Sequence, residues 1–228
     1  MKPWQDLLSE GLEILNTQQS SRRKSDEIIP LLECYIKEIE LFNPAYGLVG
    51  TEDTNELVIK HILDSLAPLG IFSNLIKNEG CSAADAGSGA GLPGIPLAIA
   101  LPDCNFTLIE RMGRRAGFLL NTKAVLALSN ITVEESELEK VSGKTSDFGR
   151  FDFITFRAFK PLEPKLLKTL FKVCKPGGFI AAYKGKREKI AQEMLEVREE
   201  KALTFDWEVI PYSVPFLDEE RHMIIIKR

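Results

Sequence analysis

Apolar residues recur at three- and four-residue intervals through the first third of the chain, the spacing of helices that bury one face. The pattern predicts helices over residues 4–15, 25–42 and 54–67. In the second, Ile28, Leu31, Leu32, Tyr35, Ile36 and Ile39 form the inward stripe, Ser25 or Asp26 stands where a cap is needed, and Asn43-Pro44 marks the expected stop. In the third, Thr54 is placed as the cap, with Leu57, Val58, Ile62 and Leu66 facing inward.

From about residue 81 the rhythm changes to short apolar runs alternating with helical stretches, as in parallel βαβ units. Strands are predicted near 82–86, 105–110, 130–134, 151–157, 177–184, 205–212 and 222–227. Helices are expected at 92–101, 113–128, 161–173 and 186–201. Residues 211–221 form a Pro-containing connection too short for a crossover helix, so the last two strands should pair antiparallel. The expected architecture is α/β and Rossmann-like: a mixed seven-stranded sheet in residues 69–228, ending in a hairpin and preceded by a helical appendage over 1–68. No internal repeat or low-complexity segment interrupts it.

Composition narrows the class. At 228 residues, with 44% apolar and 27% charged residues, the chain has enough apolar material for one substantial core. No apolar run approaches the roughly 18 residues that a membrane span requires, and Asp6, Glu10 and Glu13 interrupt the start; a cytoplasmic protein without membrane contact is expected. Cys34, Cys81, Cys104 and Cys174 are scattered without a C-x-x-C pair, so they are read as reduced thiols, with neither a metal site nor a disulfide framework. The net charge of −4 argues against nonspecific coating of nucleic acid. Basic clusters remain at Arg22-Arg23-Lys24, around Arg111, Arg114 and Arg115, and at Lys184 with Lys186-Arg187, and Glu134, Glu135, Glu137 and Glu139 form an acidic stretch.

The chemistry concentrates in Asp85-Ala86-Gly87-Ser88-Gly89-Ala90-Gly91-Leu92-Pro93-Gly94, between the first strand and its crossover helix. Alternate glycines let backbone approach a ligand at the carboxyl end of a parallel strand, where open sheets bind ligands. Gly89-x-Gly91-x-x-Gly94 also fits the dinucleotide fingerprint. The register differs: Gly87 takes the turn, Pro93 and Pro96 crowd the start of the helix, and Asp85 would set a carboxylate near a diphosphate. S-adenosylmethionine (SAM), whose methionine end carries sulfonium and ammonium groups, tolerates such an acid. Glu110 ends the second strand, where a carboxylate accepts hydrogen bonds from adenosine ribose hydroxyls; an ion pair with Arg114 or Arg115 is the plainer role.

With these residues in view, the chain resembles the bacterial small-subunit (16S) ribosomal RNA guanine-N7 methyltransferases, the RsmG or GidB family. The resemblance rests on Lys60-His61-Ile62-Leu63-Asp64-Ser65-Leu66, the glycine loop continuing through Ile99, Thr107-Leu108-Ile109-Glu110, Arg115 with Phe118-Leu119, Phe151-Asp152, Arg157-Ala158-Phe159 and Gly177-Gly178, and covers roughly residues 43–185. It implies a class I SAM-dependent methyltransferase acting on one guanosine of small-subunit RNA, with free RNA and the assembled subunit both open as substrate; a monomer without metal is expected beside it. Loop reading and resemblance together assign Asp85, Gly87, Ser88, Gly89, Leu92, Glu110, Leu138, Glu139 and Arg157 to the cofactor. The chain departs from the family at Lys60 and Glu137, where Arg is usual, and at Gly47-Leu48-Val49, where Asn-Leu-Thr is usual; these changes bear on RNA contacts more than on SAM.

Guanine N7 has an exposed lone pair, so no catalytic base is expected and the rate should come from alignment. His61, Asp64 and Arg157 are therefore positioning candidates; the His61–Asp64 spacing also imitates an oriented base. Arg157 is expected to hold the cofactor, a phosphate or guanine O6 alone, because a fork onto O6 and N7 would occupy the reacting lone pair. Phe156 and Phe159 flank it as stacking surfaces or core. An NAD-dependent oxidoreductase and a noncatalytic SAM- or RNA-binding module are the other classes compatible with the pattern, and the first lacks an evident Tyr-x-x-x-Lys.

Overall fold

The computed structural model describes residues 2–77, 79–143, 148–199 and 205–228. Among them seven strands form one sheet in the order β3-β2-β1-β4-β5-β7-β6. The strands are β1 (Ser82–Ala86), β2 (Asn105–Glu110), β3 (Ile131–Glu135), β4 (Phe151–Arg157), β5 (Cys174–Lys184), β6 (Asp206–Tyr212) and β7 (Arg221–Lys227). β1 to β5 run parallel, and β7 pairs antiparallel with both β5 and β6, so the terminal hairpin expected from the short 211–221 connection is present. The chain winds from β1 outward to β3 and then returns to β4 beside β1. That reversal opens a crevice at the carboxyl ends of β1 and β4, the place where such sheets bind ligands.

Alternation along the strands sorts side chains to two faces. Ala84, Ile109, Phe151, Ile154 and Phe156 face one buried cluster, covered by the Pro164–Val173 and Arg187–Glu199 helices. Ala83, Phe106, Leu108, Phe153 and Phe179 face the other, which continues without a break through the Gly94–Ala100 helix into Leu8, Leu32, Ile36 and Ile62 of the N-terminal helices. The N-terminal helices thus close one face of the sheet instead of enclosing a core of their own. No helix among the described residues is long and apolar enough to cross a membrane.

Several local expectations need correction. The Ser25–Tyr46 helix runs through Pro44 and ends at Gly47, which adopts the left-handed conformation (φ 58°) suited to a helix terminus. The cap at its start is Lys24, without a side-chain bond, and the next helix is capped by Asp53, whose carboxylate accepts the Asn55 N–H at 2.8 Å, instead of by Thr54. That third helix is continuous but changes pitch: an α-turn at Thr54–Leu57, a π-helical segment at Val58–Leu63 and an α-turn at Asp64–Leu66. Short helices at Thr17–Ser20, Leu69–Leu75 and Leu138–Val141 escape a search for long periodic stretches. Residues 200 and 201, the end of the predicted 186–201 helix, lie outside the described residues.

The cysteine expectation fails in one respect. Cys81 and Cys104 are joined by a disulfide, with Cα atoms 4.6 Å apart, while Cys34 and Cys174 are free. They precede β1 and β2, which start side by side: Asn105 N–H donates to the Cys81 carbonyl at 2.7 Å. Parallel pairing brings together two residues that stand 23 apart in the chain.

Candidate active site

The glycine loop leaves β1 through Gly87, whose φ of 72° belongs to the left-handed region, and a Cβ there would run into the Phe159 ring. Gly89 continues in the same conformation (φ 58°), and Gly94 begins the following helix. The loop is tied down from three directions. Gly89 N–H donates to Glu110 Oε2 at 2.9 Å, Gly94 N–H donates to Asp85 Oδ2 at 3.0 Å, and the buried Tyr35 hydroxyl donates to the Ala90 carbonyl at 2.7 Å. Glu110 also accepts the Met112 N–H on Oε1 at 2.8 Å, so one carboxylate fixes both the loop and the turn after β2.

A cleft of about 410 Å³ lies over the ends of β1, β2 and β3. Gly87, Glu110, Leu138 and Glu139 of the predicted cofactor residues line it, joined by Arg111, Met112, Arg115 and Ser136. Its far wall carries an ion pair, Lys160 Nζ to Glu139 Oε1 at 2.6 Å, and this hydrogen bond holds Glu139 below the usual carboxylate range. Arg115 Nη2 donates to the Gly47 carbonyl at 3.1 Å, which draws the end of the Ser25–Tyr46 helix to the cleft rim. Asp85, Ser88, Gly89 and Leu92 do not line the cleft. The side chains of Asp85, Ser88 and Leu92 are buried, Ser88 Oγ donating to the Asp85 carbonyl at 2.9 Å.

Arg157 also sits away from this cleft. Its side chain turns toward the π-helical segment, where Nη1 donates to the Lys60 carbonyl at 2.9 Å and to Asp64 Oδ2 at 3.1 Å, and Nη2 lies 2.9 Å from His61 Nδ1. Asp64, nearly buried, receives the Tyr212 hydroxyl on Oδ1 at 3.0 Å and has Arg221 Nε 3.4 Å away. These residues line a second cavity of about 570 Å³ over the ends of β4 and β5. The sequence motif with His61 and Asp64 and the one with Arg157 thus meet in space across 93 residues or more. Burial, reinforced by the Arg157 cation, lowers the His61 pKa to about 4, so the ring is neutral near pH 7. A group held this far down is a poor proton acceptor there.

Ala158, Phe159 and Lys160 line both cavities and form the partition between them. Ala158 takes the left-handed conformation (φ 49°), uncommon for a residue with a Cβ. That turn sends Arg157 to the helical side of the sheet while the Phe159 ring lies against Gly87 and packs edge-on to Phe156. Phe156 is fully buried and belongs to the core; Phe159 is partly exposed and belongs to the cavity wall.

A sequence profile described as rRNA small subunit methyltransferase G matches residues 28–224. A protein named ribosomal RNA small subunit methyltransferase G from Treponema denticola is 37% identical, covering 98% of this chain and 96% of its own length. One of the same name from Treponema pallidum is 39% identical, over 96% of this chain and 92% of its own.

The chain belongs to the rRNA small subunit methyltransferase G family.

It is therefore a SAM-dependent methyltransferase. Solved structures agree on the fold: a putative SAM-dependent methyltransferase from Methanococcus maripaludis superposes with a TM-score of 0.59 at 15% identity, covering 85% of this chain and 91% of that one. A SAM-dependent methyltransferase from Aquifex aeolicus gives 0.55 at 19% identity, over 72% and 91%. The residues of this member of the family fit the cofactor on their own geometry. Asp85 Oδ1 is buried without a hydrogen-bond partner among the described residues, an unmet acceptor under the loop for a cationic ligand. Desolvation raises the Asp85 pKa to about 7, a cost that a neighbouring positive charge offsets. Glu110 keeps lone pairs beyond the two used by backbone. SAM supplies the activated methyl group; this chain's residues supply its seat. Among the described residues no cluster of three or more His, Cys, Asp or Glu is arranged to hold a metal ion.

Lys60, one departure from the family pattern, is paired with Glu56 at 2.6 Å and directed toward Glu219. Glu137 stands at the cofactor cleft near Lys140. Arg115 reaches the backbone carbonyl of Gly47, a contact that does not depend on which side chain stands at that position.

Proposed function

We propose that this protein transfers a methyl group from SAM to N7 of a guanosine in 16S ribosomal RNA, acting in the cytoplasm as a single chain and without a metal. The observation that carries the reading is the pair of cavities meeting at Ala158–Lys160. The β1–β3 cleft presents Gly87, Glu110 and Leu138 to the cofactor, and the β4–β5 cavity is roomy enough for an extruded base. Asp85, Ser88 and Leu92 serve the cofactor from beneath, by fixing the loop, and Arg157 serves the acceptor side.

The chemistry fits the residues present. N7 reacts through a lone pair that is already free, so no side chain has to remove a proton first. His61, its pKa lowered to about 4 by burial and the Arg157 cation, is too weak a base to hold a proton near pH 7, and Arg157 is committed to three partners and does not fork onto the reacting edge. What remains for the protein is alignment, an effect whose scale reaches effective molarities of about 10⁵–10⁸ M. The net charge of −4 means that the target is recognised by shape and a few basic clusters, such as Arg111 and Arg115 lining the cofactor cleft, instead of by bulk attraction.

The reading is tested by incubating the protein and methyl-labelled SAM with small ribosomal subunits, and separately with free 16S RNA, from a strain lacking the modification. Label at N7 of a single guanosine is expected. Binding of SAM and RNA without transfer would instead establish a noncatalytic module.

A further inference from the structure

The β4–β5 cavity contains a polar atom whose hydrogen-bonding role is dictated by its neighbours. His61 Nδ1 lies 2.9 Å from Arg157 Nη2. A guanidinium has donors only, so Nδ1 accepts and the ring proton resides on Nε2. Arg157 cannot swing away freely, because Nη1 is held by the Lys60 carbonyl and Asp64, and Asp64 is held in turn by Tyr212 and Arg221. The π-helical pitch of Val58–Leu63 places His61 at this spot; such irregular turns recur at functional sites. Nε2 has no hydrogen-bond partner among the described residues, and His61 lines the cavity. The result is a neutral ring of fixed tautomer, its N–H donor unclaimed, on a residue that lines the acceptor-side cavity.

A fixed donor discriminates between purines on their major-groove edge. Guanine presents O6, an acceptor, beside N7; adenine presents its N6 amino group, a donor, at the same position. A donor to O6 leaves the N7 lone pair free, whereas a donor to N7 would block it. We infer that His61 is the specificity-determining residue of the reaction, its Nε2–H donating to O6 of the target guanine while Arg157 locks the ring in that tautomer. The inference rests on the guanine-N7 reading above and assigns it a means of telling guanine from other purines. His61 touches the base in this role and removes no proton.

The test uses small subunits reconstituted from RNA carrying guanosine or 2-aminopurine at the target position; the analogue keeps N7 but has no O6. Single-turnover transfer is measured for wild type, His61→Ala and His61→Gln, with the melting temperature and SAM affinity of each. His61→Ala is expected to lose about 10-fold or more on guanosine and to change little on 2-aminopurine. His61→Gln, whose amide can both accept from Arg157 and donate to O6, should retain part of the guanosine preference. Equal losses on both substrates would overturn the role and leave His61 a scaffold residue, with guanine N7 still the target. Absence of transfer by the wild type to guanosine subunits would overturn the guanine-N7 reading and this inference with it. Independently of activity, ¹⁵N-detected NMR of the free protein should show the Nε2-protonated tautomer from about pH 6 to 8; an Nδ1-protonated ring would contradict the inference.

Discussion

Asp85 is fully buried, with one oxygen on the Gly94 N–H and the other unpartnered among the described residues. Because desolvation raises its folded pKa to about 7, the folded state binds more protons than the unfolded state between the ordinary carboxylate range and that value. Stability from this group is therefore greatest in acid and is lost as pH rises toward 7. Asp85→Asn removes the ionisation, so its melting temperature relative to wild type should rise steadily from about pH 4 to 8, while SAM affinity falls through loss of the negative charge. Thermal scans across pH check the sign, and a difference that widened toward acid would contradict it. The identity of this residue was legible in the sequence as an acid at a strand end, but its position beneath the loop was not. Alternation shows that Asp85 shares a face with Ala83 without showing which face the loop folds over. Cys81 and Cys104 were illegible for a related reason: their meeting depends on which strands become neighbours. Glu110 was placed correctly by strand position; its two backbone bonds required the loop's conformation.

The Tyr35 hydroxyl ties the N-terminal helices to the cofactor loop. Tyr35, on the Ser25–Tyr46 helix, donates to the Ala90 carbonyl from a fully buried position. Tyr35→Phe leaves that buried carbonyl unmet, at a cost of about 1–3 kcal/mol. It should lower the melting temperature and weaken SAM binding several-fold by calorimetry, whereas unchanged SAM affinity would show that the loop holds its shape without this helix. Strands and long helices were readable because period 2 and period 3.6 persist over enough residues to be distinguished; all seven strands fall within a few residues of expectation. The π-helical segment was not, since Leu57, Val58, Ile62 and Leu66 still face inward across it and their spacing also fits an unbroken α-helix. Nor was the passage of the Ser25–Tyr46 helix through Pro44, where the missing N–H is tolerated near the terminus.

At the scale of the molecule, the reversal of strand order puts two cavities side by side and a single turn, Ala158 to Lys160, between them. The residues that line the β1–β3 cleft come from successive βα turns, which lie at known distances after their strands and so were legible in the sequence as neighbours. The acceptor side joins β4 and β7 to a helix from the first third of the chain, and only the tertiary packing reveals it. The division of labour between the cavities is most directly tested by a crystal structure with S-adenosylhomocysteine, the demethylated product. Density spanning Gly87, Glu110 and Leu138, with the His61–Arg157 pair undisturbed, is the predicted result. Density confined to the cavity of His61, Tyr212 and Arg221 would contradict the account.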